Sequence, residues 1–121
     1  MRPRAVAGLN SINPRNWVQM TTITLKADAT RFYSSYDEDA FFGWLKAIGC
    51  VVNFYGRGKT LYIDVASGKL TEESLRELLA LFRRYDVEMK QLAQFASDAN
   101  HHWFSEPTKY WHSDVFGSGE P

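Results

Sequence analysis

The chain has 121 residues, of which 45% are apolar and 23% charged, and its formal net charge is zero. That is the ordinary composition of one globular domain, large enough to bury a single core. It carries none of the bulk basicity that marks a nucleic-acid binder. No apolar run reaches the ~20 residues of a membrane span, and the single cysteine, Cys50, excludes an intramolecular disulfide framework. A lone thiol fits a reducing compartment, so a cytoplasmic protein is the expectation.

Residues 1–19 hold Arg2, Arg4 and Arg15 and no acid, with Pro3, Gly8 and Pro14 breaking any pattern. They read as an extended tail, and Met20, just before the first patterned segment, reads as the native start. Residues 20–121 then carry 11 basic against 14 acidic groups, a net of −3, so the folded part is mildly acidic. The domain is expected over 20–117, with 118–121 a disordered tail.

From Thr21 to Ala27 the sequence alternates, with Ile23, Leu25 and Ala27 on one side and Thr22, Thr24 and Lys26 on the other, which is a half-buried strand. Ser35 and Glu38 form a capping-box pattern, and Asp37, Glu38 and Asp39 put negative charge in a helical first turn. Phe41, Trp44, Leu45 and Ile48 follow at helical spacing, with Gly49 as the expected C-cap.

Cys50–Val65 is the strongest pattern in the chain. Two β-branched and aromatic runs flank a glycine-rich turn, which predicts a β-hairpin. With Arg57 and Gly58 as the loop, Tyr55 faces Thr60, Phe54 faces Leu61, Asn53 faces Tyr62 and Val51 faces Asp64. One face then collects Cys50, Val52, Phe54, Leu61, Ile63 and Val65; the other collects Val51, Asn53, Tyr55, Thr60, Tyr62 and Asp64. Gly56-Arg57-Gly58-Lys59 lacks the strand-to-helix setting of a phosphate-cradling loop, so a hairpin turn is the reading.

Thr71 is the expected N-cap of the next helix, stapled by Leu70 and Leu75, with a stripe of Leu75, Leu78, Leu79, Leu81, Phe82 and Tyr85. Asp86 is expected to cap a third helix to about Ala99. A short strand over 87–90, giving a ferredoxin-like βαββαβ order, is the alternative. Beyond Asn100 come Trp103, Phe104, Tyr110, Trp111 and Phe116, with His101, His102 and His112, and Pro107 argues against one continuous helix.

The fold expected is therefore a two-layer α+β domain. Its three-stranded antiparallel sheet (β-α-β-β-α-α) has the first strand beside Thr60–Val65, helices on one face, and an aromatic C-terminal segment wrapping an edge. From Leu75 onward, the text Leu75–Tyr85, Met89–Phe95, Trp103-Phe104 and Tyr110–Gly117 resembles small uncharacterised bacterial proteins of mobile elements, such as those of integron gene cassettes and toxin and immunity loci. That resemblance implies an accessory, partner-binding protein and brings no catalytic residue with it.

No cofactor, metal ligand set or catalytic residue is assigned. A nucleophile elbow and closely spaced ligand pairs are both missing, and adjacent His101 and His102 point apart on a helix or a strand. An enzyme or metal protein using the C-terminal His/aromatic segment stays as an alternative. The better candidate is the open sheet face, where tyrosines on a polar surface are interface chemistry. The residues proposed for interaction are Asn53, Tyr55, Tyr62 and Asp64, with Trp103, Tyr110 and Trp111 from the C-terminal segment. Three uses compete: the C-terminal aromatics cover the face, a second copy or another protein docks there, or single-stranded RNA stacks on it as on an RRM. A homo-oligomer or protein partner is the expectation; the acidic domain argues against nucleic acid.

Overall fold

A computed structural model describes residues 21–117; the expected tails at 1–19 and 118–121 lie outside the described residues. The elements are β1 (Thr22–Asp28), α1 (Ser35–Ala47), β2 (Val51–Arg57), β3 (Thr60–Ala66) and α2 (Glu72–Arg84). Two 3₁₀ helices (Ser67–Lys69 and Lys90–Phe95) and two short helices, α3 (His101–Phe104) and α4 (His112–Phe116), complete the described residues. The sheet is antiparallel with β3 in the middle, order β1-β3-β2. The α+β architecture and the pairing of β1 with β3 are as the alternation implied.

Each long helix starts where a hydroxyl can cap it. Thr71 Oγ1 accepts from Ser74 N–H at 3.1 Å, and Leu70 packs half-buried against the core one residue upstream. At α1 the cap is Ser34 rather than Ser35: its hydroxyl accepts from Asp37 N–H at 3.1 Å, and Asp37 Oδ2 accepts from Tyr33 N–H at 3.0 Å. Two serines in succession offer the same chemistry one residue apart, and Asp37, not Glu38, reaches back to the backbone, accepting from Tyr33 N–H just before the cap. The helix ends at Ile48, in extended conformation, so Gly49 is not a left-handed cap.

The third helix expected over 86–99 does not form. Asp86 takes φ +58°, its N–H donates to Arg83 C=O, and Val87 N–H donates to Phe82 C=O at 2.8 Å. These are the paired bonds of a Schellman motif, with Val87 and Phe82 both buried as its hydrophobic contact. Asp86 thus terminates α2 instead of starting a helix, and the apolar spacing beyond it is realised as the tighter 3₁₀ turn. No fourth strand occurs among the described residues, which removes the ferredoxin-like order.

The hairpin register also differs. Arg57 faces Thr60, leaving Gly58 and Lys59 as the loop. Gly58 has φ +59°, the left-handed first position of a two-residue hairpin turn. Moving the turn by one residue moves every partner by two, so Tyr55 faces Tyr62, Phe54 faces Ile63 and Asn53 faces Asp64. A shift of two preserves the faces, which is why alternation could not separate the two registers. A bulge between Val51 and Asn53 then exchanges the roles assigned to neighbouring valines: Val51 lies opposite Val65 and packs on the core, while Val52 is exposed.

The helices cover one side of the sheet around a single core. Leu25, Phe41, Leu45, Cys50, Ile63, Val65 and the α2 stripe Leu75, Leu78, Leu79, Leu81 and Phe82 are all buried. Trp44 ties the two helices together, its indole N–H donating to Glu77 Oε1 at 2.8 Å.

Candidate interaction surface

The C-terminal aromatics belong to the core rather than to the open sheet face. Trp103, Phe104, Trp111 and Val115 are buried, and Trp111 Nε1–H donates to Phe104 C=O at 2.8 Å. The segment lies along α2: the Arg76 guanidinium sits 4.2 Å from the Trp103 ring centre, and Arg83 pairs with Asp114 at 2.8 Å. Of the three C-terminal residues expected at an interaction surface, Trp103 and Trp111 are therefore enclosed. Tyr110 is half exposed, set edge-on to Trp111 and 5.8 Å from the Arg83 guanidinium. An indole ring carries too much apolar area to stay in water when a leucine-rich helix face is available.

His101 and His102 lie on the surface and His112 rests against Phe116. Among the described residues no three of His, Cys, Asp and Glu converge on one point.

At the β1 edge of the sheet a side chain supplies strand-like bonds to one residue. Lys26 N–H donates to Gln91 Oε1 at 2.9 Å, and Gln91 Nε2–H donates back to Lys26 C=O at 2.7 Å. The glutamine amide thus presents to β1 the donor and acceptor of a missing strand. Its carboxamide is held in turn by Glu88 C=O, at 2.8 Å from Nε2. No periodicity argument finds this residue, because its role rests on one side-chain amide reaching a strand 65 residues earlier in the chain.

What remains open is the outer face of the sheet, and its side chains are already arranged. Tyr55 and Tyr62 face each other across β2 and β3 with ring centres 5.2 Å apart and planes within 18°. Lys26 Nζ lies 5.8 Å from the Tyr62 ring centre, extending the row across all three strands. Beside it, Asp64 accepts from Thr24 Oγ1–H at 2.7 Å and from Asn53 Nδ2–H at 3.3 Å, joining the same three strands a second time. Thr60 Oγ1–H donates to Asp28 Oδ1 at 2.5 Å.

Asn53, Tyr55, Tyr62 and Asp64 are thus brought together as the alternation implied. Their partners are those of the corrected register: two tyrosines directly opposite each other, and an asparagine opposite its hydrogen-bonded aspartate. The face balances two cations, Lys26 and Arg57, with two carboxylates, Asp28 and Asp64. In comparisons with known proteins, no family model, no curated protein and no solved structure matches this chain.

Proposed function

We propose that this protein is a non-enzymatic interaction protein, of the accessory kind found on bacterial mobile elements, that self-associates in the cytoplasm through the open face of its sheet. The observation that carries the reading is the Tyr55–Tyr62 stack, flanked by the Asp64 bonds to Thr24 and Asn53. Tyrosine supplies large contact area with few rotatable bonds, and rings held by a neighbour and by strand pairing lose little freedom when a partner docks. The charge balance of the face supports a second copy as that partner, since like can meet like there without a surplus of one sign.

Light scattering behind size-exclusion chromatography, over a wide range of protein concentration, tests this. The full chain is expected to self-associate, and Tyr55→Ala and Tyr62→Ala to weaken association at least about tenfold, the loss of a hot-spot aromatic, with helix content by circular dichroism intact. A monomer throughout, or unchanged association in both variants, overturns the reading.

A further inference from the structure

Among the described residues a side chain takes outward backbone groups of the sheet at one edge, at Lys26 of β1. Along β3, Lys59 C=O and Ser67 N–H bond to β1, whereas Ala66 N–H bonds to Cys50 C=O ahead of β2. Odd-numbered residues of β3 therefore direct their backbone groups at β1 and even-numbered residues at β2. Tyr55 and Arg57, opposite Tyr62 and Thr60, point inward. Phe54 and Gly56 between and beside them point out, and their outward groups have no partner among the described residues. The equivalent groups of Lys26 on the far edge are both taken by Gln91.

The free edge differs in charge from the rest of the domain. β2, its turn and Lys46 beside it carry three cations and no acid, and the neighbouring carboxylate, Asp64, is held by Thr24 and Asn53, while residues 20–121 as a whole are net acidic. None of the three forms an ion pair among the described residues. Lys46 lines a shallow groove of about 260 Å³ along this edge with Val51, Val52, Asn53 and Phe54. Arg57 and Lys59 stand at the other end, at the hairpin turn.

We propose that the outer edge of β2 receives an extended acidic segment of a partner protein as a fourth strand. Main-chain bonds to Phe54 and Gly56 would supply the ladder, Val52 and Phe54 the apolar footing, and Lys46, Arg57 and Lys59 the preference for acidic side chains. A second copy is disfavoured at this edge because it would bring Lys46, Arg57 and Lys59 against a β2 strand that carries no acid of its own. This inference concerns the edge and stands apart from self-association through the face.

The test uses the full chain, isotopically labelled, and a terminally blocked peptide alternating Glu and Val. Its Lys-Val counterpart and a copy of the Glu-Val peptide with alternate amides N-methylated serve as comparison probes. The Glu-Val peptide is expected to shift resonances of Val51–Arg57 and to slow hydrogen exchange at Phe54 and Gly56 about tenfold or more, as new ladder bonds protect them. N-methylation should abolish binding. Lys46→Glu combined with Arg57→Glu, both exposed and so compatible with folding, should weaken the Glu-Val peptide about tenfold and reverse the preference toward Lys-Val.

Equal binding of both peptides, indifference to N-methylation, or shifts confined to other elements would each overturn the proposal. So would concentration-dependent protection of Phe54 and Gly56 in the free protein, because a second copy would then occupy the edge. If the peptide fails while Tyr55→Ala still weakens self-association, the edge proposal falls alone. If the peptide binds a protein that stays monomeric, the self-association reading falls instead.

Discussion

Gln91 stands in for a strand beside Lys26, its amide oxygen accepting at 2.9 Å and its amide nitrogen donating at 2.7 Å. One side chain thereby takes both outward groups of β1 at Lys26 and fixes the 3₁₀ segment against the sheet. Gln91→Ala is expected to cost about 1–2 kcal/mol, the net worth of two such bonds, and to speed hydrogen exchange at Lys26. Gln91→Glu should do nearly as much harm, since a carboxylate keeps the acceptor but turns a second acceptor toward Lys26 C=O. Exchange at Lys26 no faster than in the parent would show that water or a neighbour replaces the amide.

Trp103 and Trp111 should behave as core residues in any association assay. Trp111→Ala is expected to lower stability by about 3–5 kcal/mol, the usual cost of emptying a large buried aromatic site. Trp111→Phe should cost less while leaving Phe104 C=O without its donor. Denaturant unfolding followed by far-ultraviolet circular dichroism checks both. A Trp111→Ala protein as stable as the parent would show that the C-terminal segment is dispensable to the core.

Ala29 and Asp86 are non-glycine residues with positive φ, at +51° and +58°. Ala29 N–H still donates to Lys59 C=O at 2.8 Å, so the conformation serves the end of the ladder. Ala29→Gly should raise stability by about 0.5–1 kcal/mol, the strain relieved exceeding the entropy added to the unfolded chain. Asp86→Gly should gain less, because aspartate tolerates the left-handed region better than alanine. Thermal unfolding midpoints rank the two, and a loss at Ala29→Gly would place the cost of that turn elsewhere.

Burial pushes the Cys50 thiol above its ordinary range, with a bond to Ser74 pulling the other way. The folded state therefore favours the protonated thiol. Its contribution to stability is fully present below the ordinary thiol pKa and declines as pH rises past it. The native protein should react with a disulfide reagent only as fast as the fold opens. Cys50→Ala should flatten the alkaline fall in stability. Rapid labelling of the native protein at neutral pH would contradict the enclosed position.

The order of the three strands and the two main helices, the Thr71 cap, and the division of the strands into an apolar and a polar tyrosine-bearing face were legible in the sequence, because each rests on local periodicity or on capping chemistry within a few residues. Tertiary structure decided what those rules leave degenerate. Two hairpin registers share the same faces; in the folded chain Gly58 takes the positive-φ turn position, Tyr55 lies opposite Tyr62, and a bulge sends Val51 inward and Val52 outward. The apolar spacing after Asp86 suits a helix, but Val87 is drawn back onto Phe82 by the end of α2, which spends that residue on a Schellman turn. The aromatic residues past Asn100 announce burial without saying where; α2, with contacts at Arg76 and Arg83, took them and left the sheet face open. Gln91 against Lys26 is the extreme case, since nothing local distinguishes a glutamine that completes a sheet edge from one that faces water.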